Sequence, residues 1–556
     1  MRSLRFLVVI SLVASFGAPG CGSPVPAGHV RFANQPAVWR VNDRTLLPKA
    51  PAERDYNRAL YHLDGFFIRR ATRAMDVPDP VRARDTNALD EVPDSTWFTN
   101  RIGVRELSLD ELRSGPNDGN GPLSHLPWKI VSGKSGGTAI GFVIEDSRGD
   151  KYLMKFDLRE VPEMETGAHV LGHRILWACG FNVPQDYVGY IRREDLVIAP
   201  DATRKDVFGK KTPLRASHVD SALERVYRTD DGRIRVLASK FLPGKPIGPV
   251  SREGIRRDDP NDLFPHEQRR TLRGQLPIFS WLGHTDLQED NTLDVFVKAE
   301  GEQDRGHVMH YLIDFGKAFG VMAYGQRWKT VGYTYRIDLG TALKTLVSLG
   351  LWDRPWEDVG SPPYRGVGLY DPKHYDPGLF RANSQWWPVQ DADRFDAFWG
   401  AKLLIRFTRE QLAAIVEQAG YTDPRASQYM LDALVERQRK TARYWFDQVS
   451  AVDQFRVEPQ GLCFDDLTLR YDLRRVATRY HVEAFDHDGR ATGFQQIVPA
   501  GPGGRACTTV TPSGSPDGYT IVRLRVQRNA QLQSPVVVHL ARDAAGSLRV
   551  IGIRRE

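Results

Sequence analysis

The stretch from Trp128 to Cys179 constrains the fold more than any other part of this 556-residue sequence. It contains three short apolar segments separated by a glycine-rich turn at 132–138 and a tight turn at 147–150. A run with helical character follows from about residue 162. Short apolar segments bounded by Gly, Ser and Asp are typical of strands. We therefore predict three strands, with a glycine-rich loop between the first two and a helix after the third.

The periodicity of the remaining sequence divides it into further parts. Residues 21–126 are expected to form a tether and an irregular head, with a helix over 54–75 because apolar side chains recur near 3.6-residue spacing. A unit at 127–243 surrounds the strands, and a mostly helical unit follows at 244–452. Apolar residues then alternate with polar ones, which predicts a small antiparallel β-sandwich at 453–556. The fold class is therefore predicted to be α+β.

Composition excludes several classes of protein. The chain has 76 basic and 69 acidic side chains, a net charge of +7, and no long basic block, so we expect no nucleic-acid partner. With 41 % hydrophobic residues it is not disordered, and four cysteines are too few for a disulfide-built scaffold. Trp128 stands where a Walker A motif would need its first glycine, so a P-loop is excluded.

The N-terminus predicts export. Residues 1–20 have a basic start and an apolar run over 4–16 that is too short to span a membrane, which is typical of a signal peptide. Small residues precede Cys21 and resemble the bacterial lipoprotein box, which implies lipidation of Cys21 and a tether at 22–28. The residue after Cys21 is Gly22 and not the Asp that resembles a retention signal for the inner membrane. The resemblance to lipoproteins therefore favours the outer membrane. The alternative is plain secretion or a periplasmic protein; both place the protein outside the cytoplasm.

The remaining cysteines have separate expected roles. Cys179 lies in an apolar helical run, where a free buried thiol is ordinary. Cys463 and Cys507 both lie in the last 100 residues and could pair in an oxidising compartment, but the sequence leaves this open.

Three oxygen-bearing side chains suggest a magnesium site. Asp286 and Asn291 are five residues apart in GHTDLQEDNTL, and Asp314 follows a strand-like segment in HYLIDFG. Carboxylate and amide oxygens suit Mg²⁺, which proteins usually hold with one or two carboxylates together with substrate phosphates. We expect Asn291 and Asp314 to be ligands, whereas Asp286 could instead orient an attacking hydroxyl.

A lysine and a glycine-rich loop add a phosphate site. Lys155 lies within the apolar strand KYLMKFD and needs an anionic partner if it is buried. Phosphate oxygens would serve, with Glu163 or Glu165 of the next helix as a steadying carboxylate. Backbone N–H groups of the glycine-rich turn could cover phosphates, and its glycines are Gly133, Gly136 and Gly137.

The order of these motifs resembles the protein-kinase-like fold. A glycine-rich loop, a strand lysine, a helix glutamate, D-x-x-x-x-N and D-F-G follow one another with sensible gaps. The stretch ETGAHVLGHRILWACGFNVP is similar to the corresponding helix of the atypical HipA-like, phosphoinositide-kinase-like and CotH-like kinases. The resemblance covers about 128–320 well and extends loosely to 450. It implies two lobes, an N-lobe at 127–243 and a C-lobe at 244–452.

The resemblance also implies residue roles and cofactors. Lys155 would hold the α- and β-phosphates of ATP and pair with Glu165, with Glu163 and His169 as rivals for that position. Asp286 would be the catalytic base, and Asn291 and Asp314 would bind Mg²⁺. A further pair, Phe241 and Leu242, would form the hinge beside adenine.

Two functions follow as hypotheses. The first is an exported, lipid-anchored, ATP- and Mg²⁺-dependent phosphotransferase whose acceptor, a protein, sugar or lipid, the sequence does not reveal. The second is a pseudokinase that serves as a binding or scaffold protein of the cell envelope, since that compartment normally holds little ATP. Transfer of a nucleotidyl instead of a phosphoryl group is a third variant.

Overall fold

The computed structural model describes residues 30–75, 81–134, 139–206, 209–322 and 325–556. The predicted signal peptide, Cys21, and the loop glycines Gly136 and Gly137 lie outside these residues. Within the described ranges, none of the helices combines the length and the apolar character that crossing a membrane requires.

The head is mostly irregular, and its helices are short. A helical stretch comprises α1 (Arg58–Leu63), a π-helical turn at 64–68 and α2 (Arg69–Met75), and a separate helix follows, α3 (Leu109–Ser114). The helix predicted over 54–75 begins at residue 58, four residues later than expected. Asn57 caps it there by accepting hydrogen bonds from the backbone N–H groups of Ala59 and Leu60. The described residues of the head form no separate core: Trp97, Phe98 and other head side chains lie in the large core of the C-lobe.

In the part of the N-lobe that the structure describes, two helices accompany a seven-stranded sheet. Its strands run in the spatial order β4-β7-β3-β2-β1-β5-β6, antiparallel except for the β1–β5 pair. The elements are β1 (Trp128–Gly133), β2 (Gly141–Glu145), β3 (Lys151–Phe156), α4 (Met164–Cys179), β4 (Asp186–Ile191), β5 (Leu196–Lys205), β6 (Lys211–Pro213), α5 (Ala216–Leu223) and β7 (Ile234–Lys240). The predicted order of three strands and a helix is confirmed.

Period-2 burial explains the first three strands. Every second side chain enters one core, and the buried set comprises Trp128, Ile130, Phe142, Ile144, Tyr152 and Met154.

Asp157 directly follows β3 and accepts hydrogen bonds from the backbone N–H groups of Glu165 and Thr166, at 2.9 and 3.0 Å. This carboxylate therefore caps α4 and fixes the helix against the end of β3.

The C-lobe is helical around a small sheet. The elements are β8 (Lys245–Pro246), α6 (Arg270–Arg273), α7 (Gln275–Leu282), β9 (Thr292–Lys298), β10 (Gly306–Leu312), α8 (Leu339–Val347), α9 (Trp387–Gln390), α10 (Arg394–Leu404), α11 (Arg409–Ala419) and α12 (Pro424–Phe446). Helices α10 and α11 are separate, because Thr408 forms a capping box with Gln411 that starts α11. Strand β9 pairs with both β8 and β10, which places the D-x-x-x-x-N segment before β9 beside the D-F-G segment after β10.

The tail is the predicted β-sandwich. Two antiparallel sheets, β11-β12-β15 and β14-β13-β16-β18-β19, share one apolar core that includes Phe464 from the first and Val522 from the second. The elements are β11 (Val452–Glu458), β12 (Gly461–Asp466), α13 (Leu467–Arg470), β13 (Thr478–Phe485), β14 (Ala491–Pro499), β15 (Arg505–Thr508), β16 (Thr520–Arg528), β17 (Gln531–Leu532), β18 (Val536–Arg542) and β19 (Leu548–Arg555). Cys463 and Cys507 lie opposite each other on β12 and β15 and form a disulfide, whereas Cys179 is buried and free.

Buried ion pairs join the tail to the other parts. Arg555 of β19 is 2 % exposed and contacts Asp453 at 3.2 Å and Asp90 of the head at 3.1 Å. Asp90 also pairs with Arg270 of α6. A buried charge network of this kind is costly to break because each lost partner leaves an uncompensated charge. Head, C-lobe and tail are therefore bound together through one network.

Candidate active site

A cleft of about 750 Å³ lies between the two lobes. Val143 of β2 and Leu153 of β3 line its N-lobe side, and Phe241 lines it directly after β7. On the C-lobe side it is lined by Asp286, Asn291, Ile313, Asp314 and Lys317. Its volume lies in the range of about 300–1,000 Å³ that is usual for ligand sites.

Asp314 projects from the end of β10 with an unusual backbone conformation. Its φ is +61°, in the left-handed region that asparagine and aspartate tolerate better than most residues. The neighbouring N–H of Ile313 donates to the carbonyl of Asn291 at 3.0 Å. Gly316 is required two residues later, because a Cβ there would lie 2.9 Å from Cγ of Glu165 on α4. The D-F-G turn is thus held against both α4 and the Asn291 segment.

Asp286 and Asn291 lie in the loop between α7 and β9. The side-chain N–H of Asn291 donates to the backbone carbonyl of Asp286 at 2.7 Å, so its amide oxygen remains available. Burial, reinforced by the charge of Asp314, raises the pKa of Asp286. His284 precedes this pair and stacks on Phe279, and burial lowers its pKa to about 3, so it packs as a neutral ring.

Lys155 is buried, and its partners differ from the expected one. Its ammonium donates to Oδ1 of Asp314 at 2.7 Å and lies 3.0 Å from Nε2 of His169. Burial alone would lower the pKa of Lys155, but the Asp314 and Glu165 charges outweigh it and raise that pKa. Burial would likewise raise the pKa of Asp314, but Lys155 and His169 hold it well below the usual value.

The expected ion pair between Lys155 and Glu165 is replaced by other contacts. The Glu165 carboxylate lies 3.6 Å from the ammonium of Lys317. His169, one helical turn further along α4, takes the position beside Lys155 and is held by Asp186 of β4, with 3.2 Å between its Nδ1 and the carboxylate. The physical reason is the rotation of α4, which directs His169 at the end of β3 and Glu165 toward the D-F-G turn.

Glu163, the other rival, has a structural role. It precedes α4 with a left-handed φ of +66°, is 3 % exposed, and accepts from the backbone N–H of Thr422 with both carboxylate oxygens at 3.1 Å. It therefore ties the start of α4 to the turn between α11 and α12, away from Lys155.

The predicted loop and hinge residues can be placed in part. Gly133 ends β1, and the loop glycines Gly136 and Gly137 lie outside the described residues. Phe241 lines the cleft, and its backbone N–H donates to the carbonyl of Lys151 at 2.9 Å. Leu242 follows it in the segment between β7 and β8. The interpretation of 241–242 as a hinge stays a prediction.

Several cleft residues were not predicted. Lys134 and Lys317 supply cations on opposite walls, and Tyr56, Arg58 and Arg336 approach from the head and from the segment before α8. Lys134 stands inside the glycine-rich turn and Lys317 directly after D-F-G, so their motifs were a usable signal. Tyr56 and Arg58 are more than 200 residues from the motifs they face, and the sequence carries no comparable signal for them.

The residues present fit Mg²⁺ and a polyphosphate. Asp286, Asn291 and Asp314 bring two carboxylates and one amide oxygen to a single cleft, and hard oxygen donors are what Mg²⁺ prefers. Lys134 and Lys317 add positive charge at the same cleft. Of the three N–H donors of the Lys155 ammonium, two have the partners described above.

Comparisons with known proteins find only distant structural likeness. No protein-family model matches the chain, and no curated protein matches it. The Helicobacter pylori proinflammatory kinase CtkA aligns at 11 % identity and a TM-score of 0.32, covering 57 % of this chain and 95 % of that one. The Golgi casein kinase with Mn/ADP bound aligns at 11 % identity and a TM-score of 0.29, covering 58 % of this chain and 72 % of that one. TM-scores of this size do not establish a common activity.

Proposed function

We propose that this protein is a phosphotransferase that uses ATP and Mg²⁺ in the cleft between its lobes. The observation that carries the proposal is the convergence of Asp286, Asn291 and Asp314 on one cleft, with Lys155 hydrogen-bonded to Asp314 behind its wall. These four residues come from three separate stretches of sequence, and their order resembles that of kinases. Phosphoryl transfer needs little covalent help, so positioning and charge neutralisation by such a set suffice.

Each residue has a defined task in this proposal. Asp286 accepts the proton of the acceptor hydroxyl. The raised pKa of Asp286 favours this role, because a general base works best when its pKa lies near the operating pH. Asn291 and Asp314 would hold Mg²⁺, which neutralises charge on the phosphate oxygens when it is bound. Lys155 contributes positive charge from behind Asp314, and Lys134 and Lys317 contribute it from the cleft walls.

The proposed setting is the bacterial cell envelope. The predicted signal peptide and Cys21 support an exported protein anchored by lipid, with the outer membrane favoured and a secreted or periplasmic protein as the alternative. The acceptor, whether protein, sugar or lipid, would then lie outside the cytoplasm.

The reaction is tested by label transfer from ATP. We expect the protein, incubated with Mg²⁺ and a cell-envelope fraction, to transfer label from the γ-phosphate and none from the α-phosphate. Transfer of the α-label would instead indicate nucleotidyl transfer. If the protein binds nucleotide but transfers neither label, the proposed enzymatic activity would be contradicted and the second candidate function favoured.

That second candidate is a pseudokinase acting as a binding or scaffold protein. One observation favours it: Lys155 is paired with Asp314 and His169 and has no direct carboxylate partner from α4. With Oδ1 bonded to Lys155, the Asp314 carboxylate offers a metal ion less negative charge than an unpaired carboxylate would. A protein that keeps this contact would bind Mg²⁺ and nucleotide weakly.

A further inference from the structure

Helix α8 has an inverted orientation on the surface of the C-lobe. Its polar residues Thr341, Thr345 and Ser348 are the less exposed ones, whereas its apolar residues face solvent. Six large aliphatic side chains within 13 residues are between 54 % and 87 % exposed: Leu339, Leu343, Leu346, Val347, Leu349 and Leu351. We call this set the α8 apolar face. A surface helix of a globular protein normally turns the opposite face outward.

Local contacts within residues 338–352 involve the polar side of α8. Asp338 caps the helix by accepting from the backbone N–H of Thr341 at 2.9 Å. The hydroxyl of Thr345 donates to the carbonyl of Thr341 at 2.9 Å and accepts from Nε1 of Trp352 at 3.1 Å. Lys344 lies 4.0 Å from the ring centroid of the same Trp352. These contacts occupy the polar side of the helix and leave the leucines outside them.

We propose that the α8 apolar face inserts into the interfacial region of an anionic lipid bilayer. Residues 327–354, which contain this face, carry five basic and two acidic side chains. Arg354 pairs with Glu357 just beyond this range, so the basic excess lies at Arg327, Lys329, Arg336 and Lys344. Trp328 is 54 % exposed beside it. An apolar helix face flanked by tryptophan and by basic residues is typical of helices that lie in a membrane interface.

A bilayer fits this face better than a protein partner. The exposed residues are Leu and Val, which are under-represented among the energetically dominant residues of protein interfaces. A second apolar stripe on α1 and the π-helical turn, with Leu60, Leu63 and Phe67 exposed, lies close by, since the Arg70 guanidinium of α2 sits 5.8 Å from the ring centroid of Tyr335. Two neighbouring outward-facing stripes extend the area available to lipid.

Insertion of the α8 apolar face depends neither on nucleotide binding nor on lipidation of Cys21. It has one consequence for the reaction. Arg336 lines the cleft and stands three residues before α8, so insertion of α8 would bring the cleft close to the membrane surface. An acceptor at that surface would then be within reach.

A site-specific fluorescent probe tests the proposal in the full chain. The Cys21→Ser, Leu349→Cys variant has one accessible thiol, because Cys179 is buried and Cys463 is disulfide-bonded to Cys507. An environment-sensitive dye on residue 349 should shift to the blue with phosphatidylglycerol vesicles and be quenched by nitroxide-labelled lipid. The shift should be weaker with pure phosphatidylcholine and at high salt. The same dye on Ile497→Cys of the tail, 58 % exposed, is the matched control and should stay in water.

A double substitution provides the second arm. Leu343→Glu with Leu346→Glu should lower the partition of the labelled protein, read at residue 349, by about tenfold or more, because two leucines lose their apolar contact. Its thermal midpoint should match the parent's, since both side chains already face solvent. A dye at residue 349 that remains in water, or an unchanged partition in the double variant, would overturn the proposal. Self-association that the double variant abolishes, without vesicle binding, would identify a second copy as the occupant instead.

Discussion

Replacing Asp286 by asparagine is expected to lower the rate of phosphate transfer by about 10²–10⁴-fold, the usual contribution of a positioned general base. Asparagine keeps the size of the side chain but cannot accept the proton of the acceptor hydroxyl. Nucleotide binding should stay nearly unchanged, because Lys155, Asn291 and Asp314 are still present. The measurement is single-turnover transfer of γ-label together with a nucleotide titration of the same preparation.

Asp290 offers a matched control in the same loop. It lies four residues after Asp286, and its carboxylate is 3.4 Å from Arg58 of the head. Asp290→Asn should therefore reduce transfer far less than Asp286→Asn does. Equal losses in the two variants would show that the rate depends on the charge of the loop and that Asp286 has no special role as a base.

Replacing Asp314 by asparagine is expected to abolish the part of nucleotide affinity that depends on Mg²⁺. The loss should be at least the roughly 10–100-fold that removal of an outer-shell partner costs a metal site. Asparagine is preferred to alanine because its amide oxygen can still accept from the buried Lys155 ammonium, which alanine would leave without its 2.7 Å partner. The measurement is nucleotide affinity across a Mg²⁺ titration.

The parent protein in EDTA is the control for this second variant. If Asp314 is the principal metal ligand, the parent without Mg²⁺ and the variant with Mg²⁺ should bind nucleotide equally weakly. A variant whose affinity still rises with Mg²⁺ as steeply as the parent's would remove Asp314 from the metal site.

The sequence predicted the elements near the site because their patterns are local. Short apolar segments bounded by turn residues predicted β1, β2 and β3, and D-F-G marked the end of β10. The partner of Lys155 was not predictable in the same way. Glu165 and His169 share one face of α4, and only the rotation of that helix against β3 decides which of them reaches the lysine.

Long-range contacts account for the other features that the sequence left open. Tyr56 and Arg58 of the head reach the cleft through packing against the C-lobe, which no local pattern encodes. The pairing of Cys463 with Cys507 depends on the register of β12 and β15. The amphipathic spacing of α8 is visible in the sequence, but the exposure of its apolar face is not, because it depends on how the helix lies on the rest of the protein.

Thermal unfolding of the purified protein with ATP and Mg²⁺ tests the central claim most directly. A ligand at 100 times its dissociation constant stabilises the folded state by about 2.7 kcal/mol, which is readily measured as a rise in the unfolding midpoint. We expect such a rise with ATP and Mg²⁺, a smaller one with ATP in EDTA, and loss of the difference in Asp314→Asn. An unchanged midpoint at millimolar ATP with Mg²⁺ would contradict nucleotide binding in the cleft.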